Sequence, residues 1–160
     1  MKTIHTFGYE RYDSLGQLTP NDRQLVDQAR LAAQTANAPY SHFHVGAAAR
    51  LKSGAIICGS NFESEVYPAG LCAERSLLFH AFACHGGDPI VALAIASQPD
   101  ACECYPCGQC RQVLLDAERH QQSPIRVIMS GRDSATVVES AALLLPFTFS
   151  LEQSNGAKKP

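Results

Sequence analysis

The sequence predicts an α/β fold, because apolar runs of strand length alternate with segments of helical periodicity. The clearest alternation covers residues 90–96, 107–119 and 125–129, which predict a strand, a helix and a strand. This succession favours parallel strands joined by right-handed helical crossovers. A length of 160 residues with 46% apolar side chains is enough for one substantial core. We therefore expect a single domain over residues 1–160, with an irregular lead-in at 1–18 and a mobile tail at 153–160.

The first predicted helix begins after Thr19, a suitable N-cap that Pro20 follows at the first helical position. Leu25 and several alanines then repeat at helical spacing, so we expect an alanine-rich face that packs closely on a sheet. Two short apolar runs at residues 45–51 and 55–58 flank the turn sequence Lys52-Ser53-Gly54. This pattern predicts a β-hairpin.

A second helix is predicted over residues 72–85, where Leu77, Leu78, Ala81 and Phe82 share one face and Gly86-Gly87 follows as a stop signal. The continuous apolar run at 90–96 predicts a buried strand. The last helix and strand of the alternation complete the expected core.

Composition excludes several classes of partner. The 13 basic and 15 acidic residues give a net charge of −2, and Lys158-Lys159 is the longest basic run, so we expect no nucleic-acid partner. The N-terminus lacks the apolar segment of a signal peptide, and no apolar run approaches the length of a membrane span. Seven cysteines, an odd number, fit reduced thiols and metal binding better than disulfides, so we expect a cytoplasmic protein.

The most informative motif joins Cys72-Ala73-Glu74 to Pro106-Cys107-Gly108-Gln109-Cys110. Three thiolates suit Zn²⁺, and a protein that supplies three ligands leaves the fourth tetrahedral position for water, as catalytic zinc sites do. Glu74 lies two residues from the first cysteine, where a carboxylate can move protons without binding the metal. The pattern C-x-E followed by P-C-x-x-C is a form of the zinc-deaminase signature.

Both cysteine segments open predicted helices, so helix N-termini should face the thiols and lower their pKa. Cys107 and Cys110 are three residues apart and share one helix face, while Cys72 comes from the neighbouring helix. Three thiolates on one Zn²⁺ leave a net charge of −1. Arg75 and Arg111 are candidates to offset this charge through the sulfur atoms, and surface ion pairs are the alternative for both.

A different interpretation counts Cys102, Cys104, Cys107 and Cys110 as one four-cysteine cluster. Such a cluster would make the protein a metal-binding or redox module. It leaves Cys72-Ala73-Glu74 unexplained. A simpler interpretation makes Cys102 and Cys104, like Cys58 and Cys84, small reduced side chains in loops or core.

Beyond the cysteine motif, the chain contains in order the segments Pro39-Tyr40-Ser41-His42-Phe43-His44-Val45-Gly46-Ala47-Ala48, Asn61-Phe62-Glu63, Tyr67-Pro68, Leu71-Cys72-Ala73-Glu74-Arg75, Pro106-Cys107-Gly108-Gln109-Cys110-Arg111-Gln112 and Leu144-Leu145-Pro146. Together these segments resemble cytidine deaminase of the small, homotetrameric, zinc-dependent type, within the cytidine and deoxycytidylate deaminase family. The resemblance runs from about residue 20 to residue 150. It implies a three-layer α/β/α sandwich on a mixed five-stranded sheet, one Zn²⁺ per subunit, and a homotetramer with sites shared between subunits.

The resemblance also implies roles for single residues and a reaction. The zinc ligands would be Cys72, Cys107 and Cys110, Glu74 would be the proton shuttle, and Arg75 would be the cation beside the thiolates. Asn61 and Glu63 would contact the ribose, and Phe43 would be the aromatic residue near the pyrimidine. Tyr67 and Phe149 would complete the site of a neighbouring subunit. The reaction would convert cytidine and deoxycytidine to uridine and deoxyuridine with release of ammonia, in pyrimidine salvage. A deaminase of the same fold acting on another amino-heterocycle or aminonucleoside is the alternative.

This chain departs from the family pattern at several positions near the motifs. Ser64-Glu65 follows Asn-x-Glu where the family usually has Asn-Ala, and Gln109 replaces the usual alanine between the paired cysteines. Tyr105 stands before Pro-Cys where a small Ser or Thr is common, and His44 stands where proline is usual. We expect these changes to alter pocket size or substrate range, in a direction that the sequence leaves open.

Overall fold

One mixed β-sheet runs through residues 1–151, the part of the chain that the computed structural model describes. The strands are β1 (Glu10–Tyr12), β2 (His44–Leu51), β3 (Ile56–Ser60), β4 (Ile90–Gln98), β5 (Arg126–Ser130) and β6 (Ala135–Val138). The helices are α1 (Pro20–Ala33), α2 (Ala73–His85) and α3 (Gly108–Gln121). Single turns of 3₁₀ helix occur at Leu15–Gln17, Tyr67–Ala69 and Ala141–Leu144.

The strand order is β1-β6-β5-β4-β2-β3. The β4 and β5 strands pair in parallel and are connected through α3, as the alternation predicts, whereas the other neighbouring strands pair antiparallel. The predicted hairpin is the β2–β3 pair, which confirms its turn at residues 52–54. The sheet is therefore mixed, as the resemblance implies.

The sheet has six strands where five were expected. The additional edge strand, β1, lies within the lead-in that we expected to be irregular, and Glu10 pairs with Val137 of β6. Its three residues are too few and too polar for a recognisable strand pattern. An ion pair of 3.2 Å between Glu10 and Arg126 helps to fix the strand at the sheet edge. The expected mobile tail at 153–160 lies outside the described residues.

Two apolar clusters, one on each face of the sheet, produce three layers. On one face, Leu25 and Ala29 of α1 pack against alternate residues of β4 such as Ala94. On the other face, residues of α2 and α3, including Leu77 and Leu114, pack against the intervening residues of the same strands. This arrangement confirms the three-layer α/β/α prediction. On α2, Leu77, Leu78 and Ala81 are buried as expected, while Phe82 is largely exposed.

The alanine-rich face of α1 lies very close to β2, as the sequence predicts. Thr19 caps the helix by accepting a hydrogen bond from the Asp22 amide at 3.1 Å. At the point of closest approach β2 carries Gly46, and a Cβ atom placed there would collide with the backbone of Ala29 and Ala33. The glycine is required because backbone, which cannot move as a flexible side chain does, occupies the space.

Replacing Gly46 by alanine should push α1 away from the sheet. We expect Gly46→Ala to lower the free energy of unfolding by about 3 kcal/mol or more, since overpacking here meets main chain. Chemical denaturation followed by circular dichroism measures the change. Gly87→Ala is the matched control, because no atom lies within 4 Å of a Cβ at that position. Equal stabilities for the two variants would contradict the tight α1–β2 contact.

Candidate active site

The first turns of α2 and α3 bring the three motif cysteines together. Cys72 and Cys107 occupy the N-cap positions of the two helices, both with extended backbone, and Cys110 lies in the first turn of α3. The prediction that both cysteine segments open helices is therefore confirmed. Because both helices begin here, their partial positive ends face the same cluster of sulfur atoms.

The spacing of the sulfur atoms fits one tetrahedral zinc ion. The Cys72 and Cys107 Sγ atoms are 3.8 Å apart, the Cys107 and Cys110 Sγ atoms are 3.6 Å apart, and all three lie within 4.8 Å of one another. With zinc–sulfur bonds of about 2.3 Å, a tetrahedral ion requires sulfur atoms roughly 3.8 Å apart. The three thiols thus match zinc in chemistry and in spacing, and they leave one coordination position open.

The neighbours of the Cys72 thiol lower its pKa. A hydrogen bond from Cys110 lowers the pKa of Cys72 to about 5 against the opposing effect of burial, and Arg75 adds to the decrease. The same hydrogen bond raises the pKa of Cys110. Arg75 Nη2 donates to the Cys72 sulfur at 3.7 Å, so the predicted cation beside the thiolates is present in the structure.

Arg111 does not contact the sulfur atoms, so that part of the charge argument was wrong. Its Nε donates to the Pro106 carbonyl at 2.9 Å, and its Nη1 lies 3.4 Å from the Leu144 carbonyl. The side chain is neither a thiolate partner nor a surface ion pair. It connects the start of α3 to the segment that follows β6.

Glu74 lies in the first turn of α2, buried to 3% exposure behind the cysteine cluster. Burial raises the pKa of its carboxyl group to about 7, and the negative charge developing on Cys72 contributes to the increase. A carboxyl group with a pKa near neutral pH both accepts and returns a proton readily. The sequence had placed a proton-transferring carboxylate at this position.

A cleft of about 590 Å³ opens onto Cys72, Glu74 and Cys107. The predicted substrate contacts Phe43, Asn61, Glu63 and Tyr67 also line it. Separate loops supply these side chains, and the isolated bridges from Phe62 to Asn37 and to Leu71 hold the loops together. The cleft therefore joins the candidate metal centre to most of the predicted substrate residues.

Asn61 is fixed by the strand that it faces. Its Oδ1 accepts from the Val45 amide at 2.7 Å, and its Nδ2 donates to the Phe43 carbonyl at 2.9 Å. These bonds position Phe43, whose ring is 40% exposed at the cleft wall. They also leave one N–H and one oxygen lone pair of the Asn61 amide for a ligand.

Glu63 holds the loop that precedes β2. One carboxylate oxygen accepts the Tyr40 amide at 2.9 Å and the Ser41 amide at 3.2 Å, and the other accepts the Ser41 hydroxyl. The Ser41 hydroxyl, followed by the Tyr40 amide, holds the pKa of Glu63 below its usual range. His42, at φ +56°, takes the left-handed conformation that turns the chain between Ser41 and Phe43. The carboxylate keeps one acceptor position free.

The two residues expected to complete a neighbouring subunit's site lie in different places. Tyr67, in an exposed 3₁₀ turn, lines the cleft of its own chain and has an edge-to-face contact with Tyr40 at 6.3 Å. Phe149 lies outside the cleft lining, and its carbonyl accepts from Arg119 near the C-terminal end of α3. The converging cysteines Cys107 and Cys110 are at the opposite end of that helix, roughly 14–18 Å from Arg119 along its axis. A role for Phe149 in another subunit's site stays a prediction.

The geometry does not support a four-cysteine cluster. Among residues 1–151, the cysteines whose sulfur atoms converge are Cys72, Cys107 and Cys110, and Cys102 and Cys104 are not among them. Cys104 is a buried thiol whose pKa burial raises to about 11. Such a thiol stays protonated at neutral pH and is a poor metal ligand.

Tyr40, Ser41 and Tyr105 help to shape the cleft, but the sequence alone assigns none of them a role in the site. Ser41 and Tyr40 hold Glu63 through bonds between distant loops, and no local pattern announces such bonds. Tyr105 lines the cleft beside Cys107, where the sequence showed only an unusual large residue before Pro-Cys. Its size was the signal available from the sequence.

None of the helices within residues 1–151 has the length and apolar character needed to cross a membrane.

Comparisons with known proteins agree with this site. The family model of the cytidine and deoxycytidylate deaminase zinc-binding region matches residues 19–123. A cytidine deaminase of Halalkalibacterium halodurans is 35% identical over 135 residues, which cover 84% of this chain and 98% of that protein. A probable cytidine deaminase of Dictyostelium discoideum is 33% identical over 129 residues, which cover 81% of this chain and 84% of that protein.

Solved structures give the same result. The crystal structure of cytidine deaminase from Burkholderia pseudomallei superposes with a TM-score of 0.70 at 34% identity, covering 82% of this chain and 100% of that chain. Cytidine deaminase from Mycobacterium tuberculosis superposes with a TM-score of 0.64 at 34% identity, covering 79% and 95% of the two chains. The residues matched by the family model include Cys72, Glu74, Cys107 and Cys110.

Proposed function

This chain belongs to the cytidine and deoxycytidylate deaminase family, and we propose the following roles for its residues in the zinc-dependent hydrolytic deamination of cytidine. The observation that supports the proposal most strongly is the convergence of three thiols with a buried carboxyl group at the end of one cleft. Zinc held by Cys72, Cys107 and Cys110 would supply the Lewis acidity that makes a water molecule nucleophilic at neutral pH. The residues of the chain do the remaining work.

Glu74 is the proposed proton shuttle. It takes a proton from the attacking water, delivers it to N3 of the cytosine ring, and assists the departure of ammonia from C4. Its burial beside a thiolate keeps the two protonation states close in free energy, which one group serving both transfers requires. Arg75 holds the Cys72 thiolate and offsets part of the negative charge of three sulfur ligands.

Asn61 and Glu63 are the proposed ribose contacts. Each retains free hydrogen-bonding capacity after its contacts to the 40–45 segment, one donor and one acceptor on Asn61 and one acceptor on Glu63. That capacity suits sugar hydroxyls, which both donate and accept. Phe43, whose backbone Asn61 fixes, gives the pyrimidine an apolar wall.

The assembly and the location are further parts of the proposal. We infer a cytoplasmic homotetramer with sites shared between subunits, as the resemblance implies. Phe149 is not among the residues that line its own cleft, and this placement supports sharing, because its proposed contact with substrate would then be made in another copy of the chain. Tyr67, highly exposed at the cleft rim, is placed to contact a neighbouring subunit as well. A role in pyrimidine salvage follows from the reaction.

The direct test is incubation of the zinc-loaded protein with cytidine and with deoxycytidine, following the loss of cytidine absorbance and the release of ammonia. We expect both substrates to be converted. Glu63→Gln should raise KM for cytidine about tenfold, since a charged acceptor at the sugar is lost. Free cytosine, which has no sugar, should respond little to the same change. Equal effects on cytidine and cytosine would favour the alternative, a deaminase that does not depend on ribose.

A further inference from the structure

Tyr105 separates two cavities. The cleft of about 590 Å³ at the cysteine cluster and a second groove of about 380 Å³ share one lining residue in the described part of the chain. That residue is Tyr105, which directly precedes Pro106-Cys107. The groove lies between the N-terminal segment and residues 143–146, and side chains of β5, β6 and α3 also line it. The groove contains apolar and aromatic side chains, among them Tyr9 and Leu144. A smaller residue at position 105 would therefore connect the metal end of the cleft to additional apolar space.

Hydrogen bonds hold the Tyr105 ring in place. Its hydroxyl donates to Glu103 at 2.8 Å, and the same carboxylate accepts Ser134 Oγ at 2.7 Å and Thr136 Oγ1 at 2.6 Å. Thr136 belongs to β6, and Ser134 is the residue directly before that strand, so these bonds anchor the ring to the sheet. Burial acts to raise the pKa of Glu103, but these hydroxyl donors hold it below its usual value, so Glu103 is an ionised acceptor. Tyr105, which is 52% exposed, is thus anchored to the sheet through its hydroxyl group.

If cytidine binds as in the proposed function, on which this step rests, Tyr105 lies next to one edge of the substrate ring. The sugar lies toward Asn61 and Glu63, and C4 lies at the cysteine cluster. Glu74, on α2, must face N3 to deliver its proton. We assign the opposite ring edge, which carries C5, to the loop that leads into α3, because Tyr105 of that loop lines the cleft and is two residues from Cys107.

We propose that Tyr105 is a specificity-determining residue that excludes cytidines with a bulky C5 substituent, with Glu103 as the residue that positions it. A bulky substituent at C5 would meet the tyrosine ring. Shortening the side chain would let the substituent extend toward the groove between the N-terminal segment and residues 143–146. A pocket boundary of this kind discriminates through the contacts that substrate atoms lose or gain, and even a single methylene changes rates roughly 10- to 200-fold.

The test compares cytidine with 5-(1-propynyl)cytidine for the wild type, Tyr105→Ser, Tyr105→Phe and Tyr9→Ser. We expect the wild type to prefer cytidine, and Tyr105→Ser to raise the ratio of kcat/KM for the propynyl substrate over cytidine by about tenfold or more. Tyr105→Phe should keep most of the discrimination, because the ring remains. Tyr9→Ser, a change of the same size within the groove, should leave the ratio unchanged.

Binding of the unreactive product 5-(1-propynyl)uridine, measured by calorimetry, gives a second readout that needs no turnover. Tighter binding to Tyr105→Ser than to the wild type, with uridine binding little changed, supports the proposal. A wild type that accepts the propynyl substrate as well as cytidine overturns it, and so does a Tyr105→Ser variant with unaltered discrimination. Failure of the wild type on cytidine itself would instead refute the proposed function, and the binding comparison would still decide the role of Tyr105.

Discussion

Glu74→Gln should reduce kcat for cytidine by roughly 10²- to 10⁴-fold, the range that general acid–base groups contribute. Glutamine has nearly the same shape as glutamate but neither accepts nor releases a proton at neutral pH. The carboxyl group is buried beside the thiol cluster at the end of the cleft, so the substitution removes the proposed proton-transferring group from the reacting end of the site. Steady-state kinetics of cytidine loss measures the effect.

Two controls separate the loss of proton transfer from loss of the site. Zinc content per chain should stay at the wild-type value in Glu74→Gln, because the carboxyl group is outside the set of converging thiols. Glu139→Gln, the same chemical change at an exposed glutamate outside the cleft lining, should keep wild-type kcat. A Glu74→Gln variant that holds zinc and retains kcat would refute the assigned role.

The metal end of the site was predictable because its information is local. A cysteine at a helix start and a glutamate two residues later keep their relative positions once the helix forms, so Cys72 and Glu74 carried their geometry in the sequence. The same holds for Cys107 and Cys110 at the start of α3. A second local rule, that helix N-termini favour thiolates, predicts from the sequence that both helix starts face the cysteine cluster.

The sugar end of the site was less predictable because tertiary hydrogen bonds build it. Glu63 reaches Ser41 across 22 residues, and Asn61 reaches Phe43 across 18, and nothing in either segment alone specifies the partner. Arg111 shows the opposite error. Its place beside a ligand cysteine suggested a sulfur contact, but its side chain turns to two backbone carbonyls instead. Proximity along the chain does not fix the direction of a long flexible side chain.

The strands β6 and β1 illustrate a further limit of local patterns. In β6 all four residues are buried, and a run of only four residues is a weak signal for a buried strand. In β1, a polar tripeptide acquires its conformation only from the edge that β6 offers and from the charge of Arg126. Long-range pairing decided both elements.

Cys107→Ser should remove most of the zinc and most of the deaminase activity together. Cys107 Sγ lies 3.8 Å from Cys72 Sγ and 3.6 Å from Cys110 Sγ, so its loss leaves two thiolates where a tetrahedral ion needs three protein ligands and a water. Serine supplies a hydroxyl that stays protonated at neutral pH and is a poor ligand for zinc. Zinc per chain, measured by atomic absorption after dialysis, should fall from about one to well below one.

The same variant should also lose the stabilisation that zinc gives to the wild type. Binding to the folded state stabilises it by RT ln(1 + [Zn]/Kd), about 4 kcal/mol at a thousandfold excess over Kd. Chelation should therefore lower the thermal midpoint of the wild type and barely change that of Cys107→Ser. Cys102→Ser is the matched control, an exposed cysteine five residues earlier on the same loop and outside the cluster. Loss of zinc in Cys102→Ser would restore the four-cysteine interpretation, whereas retention of zinc there and loss in Cys107→Ser would establish the open three-thiolate site that hydrolysis requires.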